Sequence, residues 1–118
     1  MILRCGSTNA GCYKRGEHPA PLQYQFQDAS GAPLPSIVGY TVKLLLREQY
    51  ADAATTQQLS GTIVDPAQAI VQYAWTGAEW TTPGRWLAEF WIGNGLQRFA
   101  SVTIVMDVAA PIGPVPNI

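Results

Sequence analysis

The sequence predicts an all-β protein, an antiparallel sandwich of about seven short strands around one core. Three observations support this fold class. Apolar and polar residues alternate with period two along several segments, as they do in half-buried strands. Turn-forming residues recur at roughly ten-residue spacing, which is typical of sandwiches and barrels. No part of the 118-residue chain shows a convincing helical period.

The first two predicted strands flank a turn at residues 28–33, where Asp, Ser, Gly and Pro favour turn geometry. Leu45 interrupts the alternation of the second strand, so we expect that strand to be covered on both faces. The predicted inward rows are Leu22, Tyr24 and Phe26 in the first strand, and Tyr40, Val42, Leu44 and Leu46 in the second.

The middle of the chain is harder to assign. Within residues 48–60, Gln49 to Leu59 could form a helical turn or a loop rich in Ala, Thr and Gln. A loop is favoured, because Thr55-Thr56 is poor for helix and no apolar period is visible. A short strand is predicted from Gly61 to Val64. Asp65-Pro66 should end it, because proline lacks the N–H that a strand ladder needs.

Three more strands are predicted towards the end of the chain. Gly93-Asn94-Gly95 predicts a hairpin, since Gly and Asn accept positive φ at little cost. The last strand should run from about Leu96 to Val108, with a bulge near Arg98 because Phe99 is out of phase. The predicted inward rows are Val71, Tyr73 and Trp75, then Trp86, Ala88, Phe90 and Ile92, and finally Ala100, Val102, Ile104 and Met106.

The sequence divides into an N-terminal arm (residues 1–21), a sandwich (residues 22–108) and a Pro-rich C-terminal arm (residues 109–118). Three prolines after residue 109 should keep the C-terminal arm extended or polyproline-like. Two interpretations of the arms stay open. They are either loose ends or segments that lie across neighbouring subunits, with Ile112, Val115 and Ile118 as the residues to bury.

Only 13% of the residues are charged and the formal net charge is −1. Without a basic excess, nucleic-acid binding is not expected. The low charge indicates either a surface wetted by Gln, Thr and Ser or a surface that lies against neighbouring protein. No signal peptide is predicted after Met1 and no apolar stretch approaches a membrane span, so we expect synthesis in a cytoplasm and no membrane partner.

The sequence shows no convincing catalytic, cofactor or metal site, so no enzymatic activity is expected. His18 is expected to be an exposed polar residue in the N-terminal arm. Cys5 and Cys12 could be two ordinary thiols, a disulfide, or part of a metal site with His18. Carboxylates at strand ends or outward positions show no marked pair. They are Asp28, Asp52, Asp65, Glu79, Glu89 and Asp107.

Two tryptophans do not fit the inward rows. Trp80 lies in a turn region, and Trp91 should point away from Phe90. They could pack beneath loops, contact other proteins, or stack on sugar rings. Trp is favoured at protein interfaces, so Trp80, Leu87 and Trp91, with Ile112, Val115 and Ile118 of the arm, are the candidate partner-binding residues. A glycan on a surface formed by Trp80 and Trp91 is the alternative.

A series of motifs runs through roughly residues 13–106. They are Lys14-Arg15-Gly16-Glu17, Pro21-Leu22 opening a strand, residues 28–34, Gly39-Tyr40-Thr41-Val42, residues 71–75 and residues 83–90. The order of these motifs resembles the N-terminal domain of phage upper baseplate proteins and related immunoglobulin-like phage tail modules. The resemblance implies an immunoglobulin-like sandwich and a structural role in a virion, in the tail, baseplate, neck or capsid surface. The implied partners are other virion proteins and copies of the chain itself.

Overall fold

The computed structural model describes residues 10–118, with side chains from Tyr13 onward. Within that range the fold is all-β, as predicted. It has nine strands, where about seven were predicted, one 3-10 helix (Ala53–Thr55) and no α-helix. The strands are β1 (Ala10–Lys14), β2 (Leu22–Gln25), β3 (Thr41–Glu48), β4 (Gln57–Ser60), β5 (Thr62–Asp65), β6 (Ile70–Tyr73), β7 (Gly84–Gly93), β8 (Arg98–Ala100) and β9 (Ile104–Ala109).

The strands form two sheets. The larger sheet has the order β1-β9-β7-β3-β4, with β8 paired to the second half of β7. The smaller sheet has the order β2-β6-β5. All pairs are antiparallel except β1 with β9, which is parallel. Buried side chains of both sheets form one core.

The inward rows predicted for the central strands are confirmed. Leu44 pairs with Phe90 and Leu46 with Ala88, and all four side chains are buried. In the smaller sheet, Val71 and Tyr73 are buried, and so are Phe26 and Trp75 just beyond its strands. Alternation predicted these rows because each strand buries one face and leaves the other towards solvent.

Residues 48–60 are not a simple loop, so that prediction is wrong. Asp52 accepts a hydrogen bond from the Ala54 N–H and begins the 3-10 helix. Four residues, Gln57–Ser60, then form β4 at the edge of the larger sheet. An edge strand needs little apolar surface. Leu59 is the single aliphatic residue of β4, so no alternation reveals it.

The last predicted strand is interrupted. Trp91 pairs with Ala100 and Ala88 with Ile104, so two residues of β7 face three residues, 101–103. This is a β-bulge, and it lies beyond the position predicted near Arg98. Ala100 and Val102 are exposed, which corrects their assignment to the inward row, whereas Met106 is buried as predicted.

Residues 10–14 belong to the larger sheet. This corrects the prediction of an N-terminal arm over all of residues 1–21, since β1 pairs in parallel with β9. The sequence of β1 holds only Tyr13 as a large apolar residue, which is too little for a visible pattern. Within residues 10–118, no helix has the length and apolarity needed to cross a bilayer.

Candidate docking surfaces

The Pro-rich arm leaves the larger sheet at the end of β9. The Arg15 N–H donates to the Ala109 carbonyl at 3.0 Å, and residues 110–118 form no strand or helix. Among the described hydrogen bonds, none involves residues 110–118. Of the three apolar residues predicted to bind a partner, Ile112 and Ile118 are fully exposed and Val115 is 54% exposed. The arm therefore presents apolar side chains that the domain itself does not bury.

Val115 makes the arm's contact with the domain at Gly16. Gly16 has φ +93°, and a Cβ atom at this position would lie 2.7 Å from Cγ2 of Val115. A side chain at residue 16 would therefore displace Val115 as well as strain the backbone. Residues 14–19 and residues 115–118, with Pro111, line a cleft of about 680 Å³, which we call the Gly16 cleft.

A second surface is the outer face of the larger sheet. Leu45 on β3, Leu87 and Trp91 on β7, and Val105 on β9 point away from the core and are half-buried. Register brings them together, because Leu87 pairs with Val105 and lies diagonal to Leu45. We call these four residues the outer apolar row. Leu87 and Trp91 thus lie where alternation predicted.

Charged side chains border the outer apolar row. Lys43 lies opposite Trp91, and Arg47 lies opposite Leu87. Glu89 accepts from Nε1 of Trp91 at 3.0 Å and from Oγ1 of Thr103 at 3.2 Å. The stems of long charged residues cover apolar neighbours while their heads stay in water. This explains how a solvent-facing row remains half-buried.

Trp80 is not on the surface, which corrects its prediction as a partner-binding residue. Its side chain is 1% exposed. Its ring lies 4.6 Å from Trp75 and 4.8 Å from Tyr13, measured between ring centroids. A sugar-stacking surface built from Trp80 and Trp91 is therefore not formed. Of the three alternatives for Trp80, packing beneath a loop is the one that the structure has, because this turn folds back over the end of the core.

Glu79, next to Trp80, was expected at a strand end or an outward position, and this is wrong. It is only 3% exposed. Its Oε2 accepts from the Tyr73 hydroxyl at 2.5 Å, from the Thr76 N–H at 2.8 Å and from Oγ1 of Thr76 at 3.0 Å. Its Oε1 accepts from the Gly77 N–H at 3.0 Å. The carboxylate thus closes the turn that carries Trp80 into the core.

The pKa values of this pair follow from the same contacts. Burial acts to raise the pKa of Glu79, but hydrogen bonds from Tyr73 and Thr76 outweigh it and hold the pKa below its usual value. Burial, together with the hydrogen bond to Glu79 and its charge, raises the pKa of Tyr73 far above its usual value. Glu79 is therefore ionised and Tyr73 neutral at pH 7. All four hydrogen bonds remain within the domain, and we assign Glu79 a structural role.

The described residues show little reactive chemistry. His18 is exposed, as expected. Among the described side chains, from Tyr13 to Ile118, no three His, Cys, Asp or Glu are grouped as a metal site would require. Cys5 lies outside the described residues, as does the side chain of Cys12, so the three alternatives for the cysteines remain predictions.

Comparison with known proteins adds no family. No protein-family model matches the sequence. No curated protein matches it significantly either.

Proposed function

We propose that this protein is a non-enzymatic, immunoglobulin-like structural module of a bacteriophage virion that docks onto other copies or virion proteins. It would reinforce the tail, baseplate, neck or capsid surface. The surfaces that would contact its partners are the Pro-rich arm and the outer apolar row. The virion context rests on the motif resemblance across roughly residues 13–106.

The sheet order supports the immunoglobulin-like part of the proposal. In a variable-type immunoglobulin sandwich, one sheet has strands G, F, C and C′ as neighbours and the other contains B, E and D. Here β9, β7, β3 and β4 are neighbours in one sheet, and β2, β6 and β5 form the other. Chain order matches as well, because β2 to β7 and β9 correspond to B, C, C′, D, E, F and G.

The observation that carries the docking proposal is the exposure of Ile112 and Ile118 on an arm that the domain leaves uncovered. Fully burying an isoleucine contributes about 1.5–3 kcal/mol. Two such residues supply about 3–6 kcal/mol, which reaches only the lower end of the roughly 4–15 kcal/mol that association costs. A stable complex therefore needs more surface, and the outer apolar row with Trp91 at one end is suited to supply it.

The test is to remove the arm from the phage whose genome encodes this chain. A stop codon after Ala109 is the appropriate cut, because Ala109 still belongs to β9 and accepts from Arg15. The core contains no residue of 110–118, so the shortened domain should stay folded. We expect its copy number per purified particle, measured by quantitative mass spectrometry, to fall at least tenfold.

A full-length chain with Gly113→Ala serves as the control, since a Cβ there would meet no neighbour. Normal incorporation of the shortened chain would show that the arm is not the docking element. Absence of the full-length chain from purified particles would refute the virion role. Binding to a glycan array that Trp91→Ala abolishes would favour the carbohydrate alternative instead.

A further inference from the structure

We infer that the Pro-rich arm is exchanged between copies of this chain, with Val115 of one copy seated on Gly16 of its neighbour. The inference rests on the proposed docking function, with a second copy of the chain as the partner and the Gly16 cleft as the receiving site.

The structure shows what the Gly16 cleft accepts. Val115 has its Cγ2 and Cγ1 atoms 2.7 and 3.2 Å from the point where a Cβ of residue 16 would be. The bare backbone of Gly16 thus forms the seat for a branched apolar side chain. Every copy carries the same seat, and Val115 of a second copy is an occupant that the chain itself provides.

The arm is held only weakly in its own chain. Val115 remains 54% exposed when seated, and half-burying a valine favours the seated arm by only about fivefold. Ile112 and Ile118 gain nothing, because both stay in solvent. Releasing the arm from its own chain therefore costs little free energy.

Exchange would preserve the contact between Val115 and Gly16 and would add others. The Val115–Gly16 contact is the same in cis and in trans, so swapping it costs little. Two copies lying side by side could also bury Ile112 and Ile118 between them. The arm therefore occupies the Gly16 cleft of its own chain until a neighbouring copy is present.

The arm has the reach for this exchange. Pro111, Pro114 and Pro116 fix φ and favour an extended conformation. At about 3.1 Å per residue, residues 110–118 span about 28 Å. The chain as a whole, arm included, extends 46 × 31 × 27 Å along its principal axes, so an extended arm is about as long as either of the two shorter dimensions and can cross onto an adjacent copy. Its limited flexibility also reduces the entropy lost on binding.

Thiol cross-linking of two single-cysteine variants tests the exchange. Both carry Cys5→Ser and Cys12→Ser. One adds His18→Cys on the receiving side of the Gly16 cleft, and the other adds Asn117→Cys on the arm. They are mixed at about 1 mM, because the tethered arm competes at a millimolar effective concentration. A flexible bismaleimide then traps contacts, and mass spectrometry separates mixed from like dimers.

We expect mixed dimers as the main covalent product. Adding Gly16→Leu to the His18→Cys copy should reduce them about fivefold, because the new side chain occupies the seat of Val115. Gly31→Leu is the matched control, because Gly31 also has positive φ but its Cβ would meet nothing within 4 Å. This control should leave the yield of mixed dimers unchanged. A chain that carries both His18→Cys and Asn117→Cys, cross-linked at high dilution, gives the yield of the same cross-link within one chain.

A yield of mixed dimers that Gly16→Leu and Gly31→Leu affect equally, or no mixed dimers at all, would overturn arm exchange. That failure is distinct from failure of the docking function. If the arm docks the protein without exchange between copies, the full chain still enters particles and the shortened chain does not. The cross-link then forms only within one chain. If docking itself is wrong, loss of the arm leaves incorporation unchanged.

Discussion

Replacing Glu79 by Gln tests whether the buried carboxylate holds the turn before β7 in place. The substitution keeps the shape of the side chain and removes its charge. The carboxylate accepts four hydrogen bonds, three at Oε2 from Tyr73 and Thr76 and one at Oε1 from Gly77. A glutamine has one oxygen and one NH₂ group, so it can accept on one side only.

The expected loss follows from those four contacts. The best orientation places the amide oxygen where Oε2 was, which leaves the NH₂ group facing the Gly77 N–H. A buried N–H without an acceptor costs about 1–3 kcal/mol. The other three hydrogen bonds lose their charge assistance and become about half as strong. Together these effects should lower the free energy of unfolding by about 3 kcal/mol at pH 7.

The loss should depend on pH in a defined direction. The pKa of Glu79 is lowered in the folded protein, so its stabilising effect is complete above the unfolded pKa of about 4.3. The effect is lost as pH falls through the lower, folded pKa. The stability difference between wild type and Glu79→Gln should therefore be large at pH 7 and shrink at about pH 3.

Urea unfolding followed by tryptophan fluorescence measures both quantities, because Trp75 and Trp80 lie beside the turn. Glu89→Gln is the control. Its carboxylate is half-exposed and bonds only to side chains of the outer face, so its loss should stay below about 1 kcal/mol. A Glu79→Gln protein within about 0.5 kcal/mol of wild type at pH 7, or a difference that persists at low pH, would refute this account.

Two further substitution pairs follow from burial and close contact. Trp80→Ala should lower the free energy of unfolding by about 3–5 kcal/mol. Trp91→Ala, at a half-buried position, should lower it by only about 1–2 kcal/mol and should reduce incorporation into particles. Equal losses in urea unfolding would contradict the burial of Trp80. Gly61→Ala should lower the thermal midpoint by several degrees, because a Cβ there would lie 2.8 Å from both the Gln72 carbonyl and Val42 Cγ1. Gly113→Ala, which meets nothing within 4 Å, should leave the midpoint unchanged.

Alternation predicted the central strands well because they are long and bury one face. Along β7, Trp86, Ala88, Phe90 and Ile92 are buried while the residues between them are not. The edge strands β1 and β4 carry few apolar residues, so the sequence pattern could not reveal them. These strands are stabilised by pairing with an adjacent strand, and this pairing depends on the residues of the adjacent strand as much as on their own.

The site residues were predicted less well because their environments are set by tertiary contacts. Trp80 and Glu79 follow Thr76-Gly77-Ala78, which is indistinguishable in sequence from an exposed turn. A carboxylate that accepts from residues two and three positions earlier is the contact that makes the turn compact. Gly16 presents the same difficulty. A glycine in a short polar segment predicts a turn, but its contact with Val115 joins residues 99 positions apart.

The low charge of the chain indicates either a surface wetted by uncharged polar side chains or a surface that lies against neighbouring protein. Each explanation suits the outer face of one of the two sheets. On the outer face of the smaller sheet, Gln23 donates to Gln72 at 3.1 Å and Gln25 donates to the Gln68 carbonyl at 3.0 Å. An amide surface of this kind is wetted without charges, so it needs no partner. The outer face of the larger sheet differs, because its outer apolar row lies between charged residues in the way an interface core lies within a polar rim. We therefore expect the outer face of the larger sheet and the arm to contact other proteins, and the outer face of the smaller sheet to stay in solvent.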